Sequence, residues 1–482
     1  MKLRELLQGI DILETNASPE LDVTGVSYDS RKTQPGELFV AVTGYETDGH
    51  KYIPAAMAHG AVAVLCERDV PQDVPYIRVA SSRRALARLG VNRYGNPSAS
   101  MTVVGVTGTN GKTSVTCLLK ALLERAAGAK VGLIGTIENR IGDEILPTER
   151  TTPESYELQG LLAKMRDAGC KYVVMEVSSH ALELHRVDGI DFAVGAFTNL
   201  TEDHLDFHKT MENYLLAKRR LFGLCRRGVF NADDPAAPRM IEGAACSVYT
   251  VGTAGMADLL AQNIELGTDH VSMTLHEGES TEELRLNIPG RFTVSNALIV
   301  IGIARSLGFT LADAVGGLSG AGGVKGRVEV VPTPGKDYTV LIDYAHTPDA
   351  LENVLRSVRD FCRGRILLVF GCGGDRDRLK RPIMGKIAVE NADFVIVTSD
   401  NPRTEKPMSI IDDILAGIKE SKTPFVVEEN RRRAIRVALR CARKHDIIIL
   451  AGKGHETYQI LGTEKTHLDE REEVAAALRE GF

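Results

Sequence analysis

The stretch Val103-Val-Gly-Val-Thr-Gly-Thr-Asn-Gly-Lys-Thr-Ser114 decides how the rest of this chain is read. Its β-branched, apolar start predicts a buried strand, and glycines at 105, 108 and 111 mark the turn after it. Residues 114–124, Ser-Val-Thr-Cys-Leu-Leu-Lys-Ala-Leu-Leu-Glu, have the length and apolar spacing of a helix. Strand, glycine loop, Lys-Thr and helix make a phosphate cradle. Backbone N–H groups and the positive helix end face the anion, Lys112 adds a point charge, and Thr113 can hold Mg²⁺. The G-x-x-x-x-G-K-[ST] spacing is not met, because five residues separate Gly105 from Gly111 and two separate Gly108 from Gly111. The physical parts are nonetheless all present, and they point to a nucleoside triphosphate. A glycine turn beside a surface lysine is the plain alternative.

Working outward, 482 residues suffice for about three domains, and 43% hydrophobic content supplies their cores. A net charge of −6 with no basic face or tail argues against nucleic acid. The cysteines at 66, 117, 170, 225, 246, 362, 372 and 441 form no C-x-x-C pair, which suits a reducing cytoplasm rather than disulfides or zinc. The N-terminus alternates charged and apolar residues at helical spacing and lacks a signal-peptide core. No apolar run reaches about 18 residues, so no membrane span is expected.

Residues 1–98 form a first α/β unit. Its strands at 38–42 and 61–66 flank a helix-like stretch at 50–59, and a polar break at 92–100 closes it. Ser30 and the turn Tyr45-Glu46-Thr47 lie at strand ends, where either a ligand or an ordinary turn accounts for them. Residues 99–328 alternate strand and helix, predicting a mainly parallel sheet with strands at 103–106, 130–135, 172–177, 192–197, 228–231 and 247–251. Polar motifs follow these strands, at the edge where such sheets collect ligands: Glu176-Val-Ser-Ser-His180, then Arg186, and Thr198-Asn-Leu-Thr-Glu-Asp-His204. A carboxylate and an imidazole at neighbouring strand ends suit a divalent cation, although Mg²⁺ prefers oxygen and His204 is an unusual partner for it.

The helix expected at 211–222 carries apolar residues at 211, 214, 215, 221 and 222, and its stripe also includes Lys218. A lysine there must snorkel out or have its charge removed or compensated. Burial lowers an ammonium pKa, and a neutral amine reacts with carbon dioxide to give a carbamate, a carboxylate able to reach a metal. Both readings of Lys218 stand at this point.

Residues 254–286 read as a β-rich stretch, followed by a helix carrying Asn296 and by Arg327. The third unit, residues 329–482, repeats the strand-and-crest design, with strands at 339–342, 365–370, 394–398 and 446–450. Their crests hold Asp343-Tyr-Ala-His-Thr-Pro348, Gly371-Cys-Gly-Gly-Asp-Arg376, Ser399-Asp400-Asn401-Pro402-Arg403 and Ala451-Gly452-Lys-Gly-His-Glu456. The glycine turn at 371–374 lacks the G-x-G-x-x-G spacing of a dinucleotide site. Arg376, Asp400, Arg403 and Glu456 match a zwitterion, a guanidinium fork for carboxylate and carboxylates for ammonium; a solvated loop cluster has the same composition.

Taken together, the chain resembles the Mur ligase family, ATP-dependent amide-forming enzymes of peptidoglycan precursor synthesis, nearly end to end. The resemblance rests on Thr107-Gly-Thr-Asn-Gly-Lys-Thr113, Met175-Glu-Val-Ser-Ser-His180, Thr198-Asn-Leu-Thr-Glu-Asp-His-Leu-Asp-Phe-His208, Tyr214-Leu-Leu-Ala-Lys218, Asp343-Tyr-Ala-His-Thr-Pro-Asp349 and Asp400-Asn-Pro-Arg403. The first motif is shared with folylpolyglutamate synthases. The set together looks like the branch that adds the third peptide residue, where Asp-Asn-Pro-Arg accompanies meso-2,6-diaminopimelate. That amino acid differs from lysine by a distal carboxylate, which Arg403 would pair.

The resemblance implies three domains: an N-terminal α/β domain for the UDP-muramoyl substrate, a central P-loop-type parallel-sheet domain, and a C-terminal Rossmann-like domain. It implies that Gly108, Thr109, Asn110, Gly111, Lys112 and Thr113 hold the ATP phosphates, with Asn296, Arg327 and Asp343 on the nucleotide. Thr113, Glu176, His204 and carbamylated Lys218 would organise Mg²⁺, and Lys112, Glu176, His204 and Lys218 would be the catalytic set. Ser30, Tyr45, Glu46, Thr47, Thr151, Thr152, Ser178 and Arg186 would bind the UDP-muramoyl dipeptide. Arg376, Asp400, Asn401, Pro402, Arg403, Gly452 and Glu456 would bind diaminopimelate. A cytoplasmic monomer acting on small molecules is expected. Leu184 stands where some relatives carry glutamine, and Ser399 where some carry aspartate. Three rivals stay open: L-lysine as the added amino acid, a folylpolyglutamate-type ligase, and a non-enzymatic nucleotide-binding scaffold.

Overall fold

The computed structural model describes residues 1–482 apart from Tyr45, Glu46, Gln72 and Glu149. Two compact units result, one of residues 1–251 with 302–310, the other of residues 252–301 with 311–482. Both are α/β.

The first unit opens with a five-stranded sheet in the order Ile12–Thr15, Tyr76–Val79, Ala63–Cys66, Leu38–Val40, Val26–Ser27, of which only the first pair is antiparallel. The helix expected at 50–59 divides into a 3₁₀ turn, Gly49–Tyr52, and an α-helix, Ile53–Ala58. Pro54 accounts for the break: without an N–H it fits only the first turn of a helix. The strand Ile12–Thr15 is exposed at every position, so it carries no apolar alternation to predict it by.

The larger sheet of this unit places six parallel strands in the order Ser247–Gly252, Cys225–Asn231, Phe192–Phe197, Thr102–Thr107, Tyr172–Glu176, Val131–Ile134. A short antiparallel ribbon, Asn139–Ile141 and Glu144–Leu146, continues its edge. Thr102–Thr107 lies in the middle and is buried from Val103 on, as its β-branched run requires. After it, the helix Lys112–Ala127 buries Val115, Leu118, Leu119, Leu122 and Leu123, the i, i+3, i+4, i+7, i+8 stripe of an amphipathic helix on a sheet. Each such side chain contributes about 1.5–3 kcal/mol on burial. The helix ends at Gly128, whose φ of 56° is left-handed. Register brings Glu176 level with Val106 and Phe197 level with Thr107, so the polar crests share one edge.

In the second unit the strands Leu259–Leu266, Val271–Glu277 and Ser280–Leu286 pair antiparallel, the β-rich stretch seen in the sequence. A six-stranded sheet follows, ordered Glu329–Val331, Thr339–Asp343, Ile447–Ala451, Ile366–Phe370, Phe394–Val397, Phe425–Val427, parallel except for its first pair. Alternate residues feed two cores: Leu341, Leu368 and Ile449 pack on one face, Ile342, Leu367 and Ile448 on the other. That explains why these strands read as unbroken apolar runs. Asp343 is in register with Ala451 and Phe370 with Val397, which sets the four crests side by side. Among the described residues, no helix is long and apolar enough to cross a membrane.

Candidate active site

The glycines of the loop are demanded by close approach. A Cβ on Gly108, at φ 151°, would lie 1.8 Å from Thr198 Oγ1, and Gly111, at φ 85°, turns the chain into the helix. The next strand end braces the loop. Asn199 Oδ1 accepts from the Asn110 N–H at 2.9 Å, and Thr198 Oγ1 donates to the Asn110 carbonyl at 2.6 Å. Lys112 Nζ donates to the carbonyls of Gly108 and Thr109 at 2.9 and 2.8 Å, so its charge is held over the loop.

Glu176 ends its strand 1% exposed and accepts from Thr113 Oγ1 at 3.0 Å. It also accepts from the N–H and Oγ1 of Thr136, at 2.9 and 3.0 Å. Gly135 gives it room, since a Cβ there would stand 2.5 Å from Oε1. Thr136 had no signal in the sequence beyond its place after a strand. The hydroxyl of Thr113 and the carboxylate of Glu176 are therefore adjacent hard oxygen donors beside the phosphate loop, a donor set that fits Mg²⁺.

Lys218 is the sharper result. It does not snorkel: it is 1% exposed on the helix Met211–Arg219, with Nζ 4.3 Å from the Tyr214 ring centroid. Burial, with Lys112 nearby, pushes its ammonium pKa well down, in the direction of the neutral amine. The helix is shorter than the 211–222 expected, giving way to a 3₁₀ turn at Arg220–Gly223. His204 precedes the helix Leu205–His208 with φ 53°, its ring 4.8 Å from that of His180 and edge-on to it. Burial lowers the pKa of His204, against the opposing pull of Asp203. Among the described residues, no three His, Cys, Asp or Glu side chains converge as a ready metal cage.

Of the residues expected on the muramoyl substrate, Thr151, Thr152 and Ser178 surround the Glu176 strand end. Thr151 Oγ1 lies 2.9 Å from Thr136 Oγ1, and Thr152 Oγ1 donates to the Glu176 carbonyl at 2.8 Å. Ser178 caps the helix Ser179–Glu183. Arg186 is paired with Glu154 at 3.2 Å. Ser30 is buried in the N-terminal sheet's unit, and Thr47 pairs with the Tyr52 hydroxyl at 3.1 Å. Tyr45 and Glu46 lie outside the described residues.

In the second unit, Asp343 accepts from the N–H groups of Val328 and Ala345 at 2.9 and 2.8 Å, and burial raises its pKa while Arg327 opposes. Arg327 lies 5.2 Å from the Tyr344 ring centroid, and Asn296 is buried on the helix Arg291–Ser306. Of the crest groups, Asp400, Arg403 and Glu456 are no solvated cluster. Asn401 donates to Glu456 at 2.9 Å, and Lys453, fully buried, donates to both Asn401 Oδ1 and Glu456 Oε2. Asp400 is 8% exposed, 3.8 Å from the fully buried Arg431, which is also bound to Glu470. Arg403, at φ 52°, donates to the Gly374 carbonyl at 2.8 Å. Arg376 stays exposed and donates to the Asp375 carbonyl at 3.0 Å. Lys453, Arg431 and Glu470 were missed because the sequence does not tell a buried charge from a surface one.

Comparison with known proteins accounts for this arrangement. Residues 22–94 match the Mur ligase family catalytic domain, 106–304 the Mur ligase middle domain and 326–454 the Mur ligase glutamate ligase domain. A protein of Caldanaerobacter subterraneus subsp. tengcongensis named UDP-N-acetylmuramoyl-L-alanyl-D-glutamate--2,6-diaminopimelate ligase is 49% identical, over 100% of this chain and 99% of its own. The chain belongs to the Mur ligase family. A Mur ligase of the same name from Clostridium tetani is 46% identical over the whole of both chains. A solved structure so named superposes with a TM-score of 0.74 at 32% identity, covering 100% of this Mur ligase and 99% of the other. A Mycobacterium tuberculosis folylpolyglutamate synthase, at 17% identity and TM-score 0.62, shares the fold over 77% of this chain and 92% of its own.

Proposed function

We propose that this Mur ligase joins meso-2,6-diaminopimelate to UDP-N-acetylmuramoyl-L-alanyl-D-glutamate, with hydrolysis of ATP to ADP and phosphate. The observation that carries the reading is full-length identity of 49% and 46% to two ligases of that name. The buried Asn401–Lys453–Glu456 and Asp400–Arg431 groups support it, since a charged amino acid needs paired, oriented partners. The D-glutamate carboxylate attacks the γ-phosphorus of ATP, releasing ADP and leaving an acyl phosphate. The diaminopimelate amine then attacks the acyl carbon, and phosphate leaves with the acyl–oxygen bond electrons. The protein supplies no nucleophile, only positioning and charge.

In this reading the loop amides and Lys112 cradle the phosphates, and Asn296, Arg327 and Asp343 take the nucleoside. Thr113, Glu176, His204 and Lys218 as a carbamate would hold Mg²⁺, which when bound offsets charge on the phosphates. Ser30, Thr47, Thr151, Thr152, Ser178 and Arg186 take the muramoyl nucleotide. Arg376, Asp400, Asn401, Pro402, Arg403, Gly452 and Glu456 take the amino acid, with Arg403 on its distal carboxylate. The cysteines form no disulfide among the described residues, in keeping with a cytoplasmic site of action, where the enzyme acts as a monomer.

The test is phosphate release from ATP with the muramoyl dipeptide, comparing meso-diaminopimelate with L-lysine. Release with diaminopimelate alone is expected. Release with lysine alone overturns the amino-acid assignment; release with neither overturns the ligase. Hydroxylamine should trap a hydroxamate only when ATP and the dipeptide are both present.

A further inference from the structure

Arg83, in the first turn of the helix Ser82–Tyr94, has no place in the assignments above. Its Nη2 donates to the Thr43 carbonyl at 3.3 Å, at the end of the N-terminal sheet. Its Nη1 is buried and, among the described residues, makes no hydrogen bond, standing 3.6 Å from Glu154 Oε2. Glu154 is already engaged. It accepts from Arg186 Nε at 3.2 Å and from the Ser155 N–H at 3.2 Å. Arg83, Arg150 and Arg186 are close enough to repel one another through the Arg186 guanidinium, and Glu154 is the carboxylate that opposes them there. The next acid along the helix Ser155–Asp167 that Glu154 leads, Glu157, is taken by the Tyr28 hydroxyl at 2.6 Å. Two guanidiniums, Arg83 and Arg186, each under a fifth exposed, thus share one carboxylate and leave a buried donor over. A desolvated cation excess with an unused N–H is the signature of an oxyanion site.

We propose that Arg83 is a substrate-binding residue, donating from Nη1, alongside Arg186, to an oxyanion of the muramoyl nucleotide. This rests on the ligase reading above. The oxyanion is a phosphate of the UDP group or a carboxylate of the muramoyl peptide; the chemistry that recognises them is shared. Arg83 also joins the Thr43 strand end to the helix led by Glu154, so substrate binding would tie those two elements together.

The experiment titrates the full-length protein calorimetrically with UDP-N-acetylmuramoyl-L-alanyl-D-glutamate, in wild type, Arg83→Ala and Arg83→Lys, with ATP affinity measured in parallel. Both variants are expected to bind the dipeptide nucleotide about 10- to 100-fold more weakly, with ATP affinity unchanged. Arg83→Lys keeps a charge that cannot fork, so it separates recognition from loss of a cation. UDP-N-acetylglucosamine serves as the second ligand. An equal loss on it assigns the oxyanion to the diphosphate, and a loss confined to the dipeptide nucleotide assigns a carboxylate. Wild-type-like binding by both variants overturns the proposal, as does a matching loss of ATP affinity, which marks a merely structural role. Wild-type protein that binds neither UDP-sugar overturns the ligase reading as well.

Discussion

Lys218 Nζ sits 4.3 Å from the centroid of the Tyr214 ring, and the Tyr214 hydroxyl is 3.2 Å from Thr109 Oγ1 in the phosphate loop. A buried amine is thereby fixed beside the loop, with its pKa pushed down by burial and by Lys112. Protein equilibrated with ¹³C-bicarbonate should show a carbamate carbon resonance that is absent in Lys218→Arg. If the carbamate holds Mg²⁺ as proposed, the variant's ligase activity should fall about 10- to 100-fold. A wild-type spectrum without that resonance would remove the carbamate from the mechanism.

Arg403 is held in a left-handed conformation, its Nη1 on the Gly374 carbonyl, so its remaining donors are aimed by the backbone. Arg403→Ala should raise KM for diaminopimelate about 100-fold or more while changing turnover with L-lysine little, because only the first has a distal carboxylate to pair. Equal losses with both amino acids would mean that Arg403 merely shapes the loop.

Glu405 accepts two hydrogen bonds from the fully buried Arg381, at 2.9 and 2.7 Å, and its pKa is drawn down from 4.5 to about 2, chiefly by those bonds. Because the folded value lies below the unfolded one, its stabilisation is fully present above about pH 4.5. It is lost as pH falls toward 2. After discounting for solvent screening, the contribution is on the order of 1 kcal/mol. Urea unfolding of Glu405→Gln should therefore show a deficit of that order at pH 7 that shrinks as pH falls through 4.5 to 3. A deficit independent of pH would assign the loss to packing.

What the sequence made legible follows from what each residue must satisfy locally. The six parallel strands around Thr102–Thr107 and the crests after them were readable because a buried parallel strand is a short apolar run ended by polar or glycine residues. Lys218 was readable as a conflict, a charge on an apolar stripe, though not which way the conflict resolves. Lys453 and Arg431 were not readable: both are fully buried, yet Lys453 stands between two glycines and Arg431 among polar residues in the chain. Their partners, Asn401 and Asp400, come from a different strand end. Arg83 escaped for the same reason, its partner carboxylate Glu154 being 71 positions away in sequence and 3.6 Å away in space. Pairings across strand ends are set by sheet order, which local pattern does not encode.

Gly452 offers a test of how tightly the amino-acid crest is built. Its φ of 113° is rarely adopted by an L-residue, and a Cβ there would stand 2.6 Å from Asp400 Oδ2. Among the described residues that buried oxygen has no hydrogen-bond partner, and it stands 3.8 Å from Arg431 Nη1. Gly452→Ala therefore strains the backbone by about 1–3 kcal/mol and pushes the Asp400 carboxylate from its place. The phosphate loop lies in the other compact unit and contains none of these residues. The expected result is a rise in KM for diaminopimelate of about tenfold or more, larger than any change in KM for ATP, with the thermal midpoint lowered by a few degrees. An unchanged KM for diaminopimelate, despite a lowered midpoint, would show that Asp400 can move without loss and is not a contact of the amino acid.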